Sequence, residues 1–175
     1  TYLGGALLHG YYDEARQLLF VTNVTLSEVD VLSGTDLSLV SRISVPLPVG
    51  IDQMPDNRTL VVGTQTQTLY TVDEVTLAVT AHPGPNFSSV VGSTTQYQMP
   101  VAMANGKVLI TAHDLFVQPS QGNRLIVWNP STESFTEPQI AGWCPTGCAS
   151  ATIAHSADHK WAFSGPGMLY NSDSD

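Results

Sequence analysis

Apolar runs of about five residues recur along the chain, each closed by a polar cluster rich in turn formers. The run in QLLFVTN (17–23) stops at Thr22-Asn23. The same arrangement returns in DQMPDNRTLVVGT (52–64), AMANGKVLITA (102–112) and AHSADHKWAFSG (154–165), and it begins with YYDEARQLLFVTN (11–23). Each unit has small or apolar residues, then a polar turn with Asp or Asn and a basic residue, then an apolar strand. Leu19, Leu60, Val108 and Trp161 open these strands (Leu19 to Leu60, 41; Leu60 to Val108, 48; Val108 to Trp161, 53). No segment carries a sustained helical stripe. DEARQLL (13–19) favours a helix for one turn only, too short to stand alone.

A repeat of about 40–50 residues is the period of a four-stranded propeller blade. The first unit divides into four strand candidates, ALLHGYY, LLFVT, LSEVDVL and LVSRISV. Later units divide in the same way, with Val, Ile, Thr and Tyr in the runs and Gly, Pro, Asn and Asp between them. The expected fold is all-β: blades of four antiparallel strands at about 6–47, 48–83, 98–140 and 150–175, the last incomplete.

The motifs sharpen this reading. PVGIDQMPDNRTLVV (48–62) resembles the P-x-G-I-A-x-S-P-D-G-R-x-L-Y-V core of YVTN-type repeats, and LLFVTN resembles that family's eponymous strand. TIAHSADHKWAF (152–163) fits the same frame, with Ala157 in place of Pro and His159 in place of Gly. In the third unit, MANGKVLITAHD and RLIVWNPSTESFTEP (124–138) resemble kelch-like blades. The resemblance implies a propeller of roughly three and a half blades. A closed propeller usually has 4–8, so the expectation is a fragment of a longer polypeptide, with an arc that closes by assembly as the alternative.

Propeller connectivity places the loop between a blade's second and third strands on the same face as the loop to the next blade. The long connections 84–97, 114–123 and 141–149 therefore share one face. Long loops on a rigid scaffold are where binding concentrates. The aromatic residues they supply, Phe87, Tyr97, Phe116 and Trp143, are the expected binding residues.

Charge limits the partners. Six Lys and Arg residues against a net charge of −9 supply no basic patch for phosphates, which excludes nucleic acid. The same charge disfavours anionic lipid, and no run reaches the length of a membrane span, so no membrane insertion is expected. Protein or glycan partners, or other copies and blades of the same protein, remain. Only 12% of the residues are charged. A surface built from Ser, Thr, Gln and Asn leans towards an extracellular, cell-surface or periplasmic setting. The chain starts at Thr1 without a signal peptide, consistent with a removed leader or a longer parent chain.

Cys144 and Cys148, in CPTGC, enclose a tight turn, and a small-loop disulfide is the preferred reading. A metal half-site lacks a second pair, since zinc needs about four ligands; free buried thiols are the other alternative. The sequons at Asn23, Asn57 and Asn86 fall in expected turns and are candidate glycosylation sites.

Five histidines are present. His155 and His159 have the HxxxH spacing, but they flank a strand turn and lose the helical geometry that makes that motif a metal site. His9, Asp52 and His155 lie on expected innermost strands, near the channel. His113-Asp114 offers an acid–base pair, although a solvated loop pair is the simpler reading. NSDSD (171–175) resembles part of a calcium loop without its Gly and Glu. No catalytic residues, metal site or cofactor are expected, with calcium and copper left open. The expected role is a non-catalytic binding or assembly module. The alternative is part of a propeller enzyme, lactonase-like or of the kelch-type copper-radical oxidase kind, with its site at the channel mouth.

Overall fold

A computed structural model describes residues 3–88, 90–115, 123–138, 153–164 and 168–174. The fold is all-β, and no α-helix occurs among the described residues. Four antiparallel sheets follow one another along the chain. The first contains β1 (Leu7–Asp13), β2 (Leu18–Asn23), β3 (Glu28–Ser33) and β4 (Leu39–Ser44). The second contains β5 (Pro48–Gln53), β6 (Thr59–Thr64), β7 (Thr68–Asp73) and β8 (Val79–Pro83). The third contains β9 (Thr95–Ala102), β10 (Val108–Asp114), β11 (Asn123–Asn129) and β12 (Ser134–Thr136). The fourth contains β13 (Ile153–His155), β14 (Trp161–Ser164) and β15 (Met168–Asn171). Within each sheet, strands pair in sequence order.

These sheets are propeller blades. Their first strands, β1, β5, β9 and β13, lie side by side in succession, and the sheets pack face to face rather than pairing edges. The arc they form is not closed. The last strands, β4, β8 and β12, are the outer edges and are mostly exposed. Pro83 ends β8, an edge position where its missing N–H removes no ladder bond.

The repeat is visible in the turns as well as the strands. Gln17, Asn57, Gly106 and His159 all take a left-handed conformation, with φ of 54°, 53°, 80° and 55°, between the first and second strands of their sheets. After the third strand, the side chains of Ser33, Asp73 and Asn129 each accept the backbone N–H two residues on, from Thr35, Val75 and Ser131. Four residues on from each, Leu37, Leu77 and Glu133 are again left-handed. Such Asx- and Ser-type turns stabilise the reversal locally.

Apolar residues of adjacent sheets interdigitate in three clusters. Phe20, Val29 and Val31 of the first sheet meet Ile51, Leu60 and Val62 of the second. Val61 and Leu69 meet Tyr97, Val108, Ile110 and Trp128 of the third. Leu109, Leu125 and Val127 meet Ala162 and Tyr170 of the fourth. Gly50 and Gly63 permit the second of these contacts. A side chain on Gly50 would lie 2.8 Å from the Gln98 carbonyl oxygen, and one on Gly63 would overlap the same atom.

Two sequence expectations need correction. Trp161 and Phe163 do lie in β14, but not on the face occupied by Leu60 and Val62. Ala162 takes that side, against the third sheet. The reason is that an apolar residue sits at the turn-closing position: the backbone bonds from Met54 to Thr59 and from Ser156 to Trp161 close turns of the same length. Trp161 therefore corresponds to Thr59, and a one-residue slip reverses the face. Second, 95–97 is not loop: Thr95, Gln96 and Tyr97 open β9.

Candidate functional site

The described cluster with the strongest chemical potential lies where the inner strands of the second, third and fourth sheets meet. Asp52 comes from β5, His155 ends β13, and His159 sits in the turn that follows. Ala102, at the end of β9, organises the group. Its N–H donates to Asp52 Oδ2 at 2.8 Å, and its carbonyl accepts Nδ1 of His159 at 2.8 Å. His155 donates Nδ1–H to the Ser156 carbonyl at 2.8 Å and turns Nε2 towards Asp52, 3.4 Å from Oδ1 and 3.3 Å from Oδ2. The two imidazoles stack with centroids 3.8 Å apart. One ligating atom from each of the three residues lies within 4.8 Å of the others.

A carbonyl oxygen can only accept, so both Nδ1 atoms carry the proton. On a neutral ring Nε2 would then hold the lone pair, but His155 Nε2 faces the Asp52 carboxylate, an acceptor, so that contact is a hydrogen bond when the ring is protonated on both nitrogens. The hydrogen bond with Asp52 raises the His155 imidazole above its ordinary value, against the opposing effect of burial. Asp52 and His155 also line a cavity of about 210 Å³, together with His9, Met99, Pro100 and Val101. The HxxxH pair thus meets through a turn rather than along a helix. Its spacing was readable in the sequence; the aspartate 103 residues away was readable only as a polar residue on an inner strand.

The other expected residues fall differently. Tyr97 is wholly buried, stacks on Phe135 at 5.2 Å, and donates its hydroxyl to the Pro85 carbonyl at 2.5 Å. Phe87 is half-buried against the same cluster. Both pin the 84–97 connection, so Tyr97 is not a surface anchor. Phe116, Trp143, Cys144 and Cys148 lie outside the described residues, as do most of 114–123 and all of 141–149. Asp114 is not poised for acid–base work with His113: Arg124 binds its Oδ2 at 2.9 Å, and Thr95 donates to its Oδ1 at 2.9 Å.

The sequons also separate. Asn23 is buried, and its Nδ2 donates to Gly4 and to Asp30, each at 3.0 Å, so a glycan there is incompatible with this fold. The Asn86 amide spans its loop by donating to the Ser93 carbonyl at 2.8 Å. Asn57 is exposed at a turn tip, and Asn86 is exposed as well.

A second polar cluster joins the first two sheets. Arg16 binds Asp13 at 2.7 Å, Glu74 at 3.2 Å and the Asn57 carbonyl at 3.0 Å. Gln53 donates to Glu74 at 2.6 Å. Burial pushes the Glu74 carboxyl up to about 7, and the hydrogen bond with Asp13 adds to that shift. For Asp13, burial is outweighed by hydrogen bonds to Glu74 and Arg16, and the net shift is downward.

No protein-family model matches this chain, and no curated protein matches it in sequence.

Proposed function

We propose that this chain is a segment of an extracytoplasmic β-propeller of YVTN- and kelch-like type, and that it works as a binding and assembly module. The contrast between internal and end faces carries the reading. Leu60, Val62, Val108 and Ile110 meet a preceding sheet and are 0% exposed. Among the described residues, no sheet packs on the preceding side of the first sheet. Its corresponding face presents Leu7 and Leu37, with Leu19 and Val21, around a cleft of about 350 Å³. Among the described residues, no sheet packs on the outward face of the fourth sheet, where Trp161, Phe163 and Leu169 stand 37%, 51% and 52% exposed.

Exposed apolar patches of this kind mark interaction surfaces. One end offers the face that elsewhere meets a preceding blade, and the other the face that elsewhere meets a following blade. They are two halves of one contact. Further blades of a longer chain, or a second copy docked head to tail, supply each half with its complement; heterologous contacts between copies build rings when the rotation closes. The mixed repeat motifs and low charge support the class and the setting. The face bearing 84–97, pinned by Phe87 and Tyr97, remains available to a protein partner.

Sedimentation equilibrium of the purified chain tests this. Concentration-dependent association is expected, and Phe163→Asp abolishes it while leaving the circular dichroism spectrum unchanged. A chain that stays monomeric at its solubility limit overturns the head-to-tail assembly.

A further inference from the structure

We propose that Asp52, His155 and His159 form a binding site for one divalent transition-metal ion of the zinc type. The site would tie the second, third and fourth sheets together at their inner edge, and it is independent of the assembly reading above.

Three observations converge. The donor set is two imidazoles and a carboxylate, the combination of three protein ligands that leaves a fourth position for water at tetrahedral zinc. The supporting contacts are those that metal-binding histidines use. Each ring donates Nδ1–H to a backbone carbonyl, His155 to Ser156 and His159 to Ala102, which orients Nε2 as the ligating atom. The carboxylate is held in turn by the Ala102 N–H. The spacing is close to that required. Ligand atoms about 2.0–2.1 Å from a tetrahedral ion lie roughly 3.3 Å from one another. His155 Nε2 and Asp52 Oδ2 are 3.3 Å apart, and the widest separation in the set is within 4.8 Å. A modest rotation of the stacked rings brings the third ligand in.

The cavity lined by Asp52 and His155, about 210 Å³, gives the open coordination position access to water and a small ligand. Two imidazoles match zinc, cobalt or copper rather than calcium, which takes oxygen ligands.

The alternative is a plain ion pair between His155 and Asp52 with a stacked neighbour. Titration of the chelator-stripped chain with Zn²⁺, followed by calorimetry, and with Co²⁺, followed by its visible absorption, separates the two. One equivalent is expected, with a tetrahedral cobalt spectrum and an upward shift in melting temperature on loading. His159→Gly suits the backbone at φ 55° and removes one ligand, and Asp52→Asn keeps the acceptor for Ala102. Each should weaken Zn²⁺ binding at least tenfold while the metal-free circular dichroism stays unchanged. Stoichiometric binding that survives both variants, or that is lost instead in Cys144→Ser/Cys148→Ser, overturns the site. So does an unmodified chain that takes up neither ion.

Discussion

Asp52 and His155 are 103 residues apart in the chain, yet Nε2 of the imidazole lies 3.3 Å from the carboxylate. The contact crosses an intervening sheet, because Asp52 is also fastened to Ala102 of β9. Three inner strands are thereby tied through one carboxylate.

That bond predicts a specific asymmetry. Asp52→Ala leaves the buried Ala102 N–H without an acceptor and should destabilise the fold by about 1–3 kcal/mol. Asp52→Asn retains an acceptor oxygen and should cost clearly less. Urea denaturation of the metal-free proteins measures both, and equal losses would show that the hydrogen bond is unimportant.

Glu74 predicts a pH dependence. Its carboxyl titrates near 7 in the fold, against 4.5 as its ordinary value. The folded state therefore binds the proton more tightly than the unfolded state. The resulting stabilisation is complete below the ordinary value and is lost as pH rises through 7. Melting temperature should decline between about pH 5 and 8, and Glu74→Gln, which removes the titration, should flatten that decline. An unchanged slope in the variant would place the dependence elsewhere.

Tyr97 should behave as a pin. Tyr97→Ala empties a fully buried aromatic site and should cost about 3–5 kcal/mol. Tyr97→Phe loses only the bond to the Pro85 carbonyl, at about 1 kcal/mol. Retained stability in the alanine variant would contradict the packing described here.

The end faces can be compared with the internal ones in a single experiment. Ile110→Ala removes a side chain buried between two sheets and should cost about 2–5 kcal/mol. Phe163→Ala removes an exposed side chain and should change the unassociated chain by about 0.5 kcal/mol or less. A large loss from Phe163→Ala in dilute, unassociated protein would mean that this face is already covered within the chain.

Much of the architecture was legible because its signals are local. Apolar runs with turn residues at their ends determine strands, and their recurrence at blade-like intervals determined four successive sheets. Leu19, Leu60 and Val108 were correctly placed because turn and strand lie next to each other in the chain. Trp161 was placed one residue off because it is an apolar residue at the turn-closing position that the polar Thr59 and Lys107 hold in the second and third sheets; only the hydrogen-bonded closure from Ser156 to Trp161 shows it. Tyr97 read as loop because its burial depends on Pro85 and Phe135, distant contacts that leave no mark on the local pattern. The candidate metal site divides in the same way. The spacing of His155 and His159 belongs to the sequence, as does their position around a turn. That the rings stack, and that Asp52 joins them through Ala102, was decided by the packing of three sheets. Such packing depends on the curvature of the arc rather than on any residue's immediate neighbours.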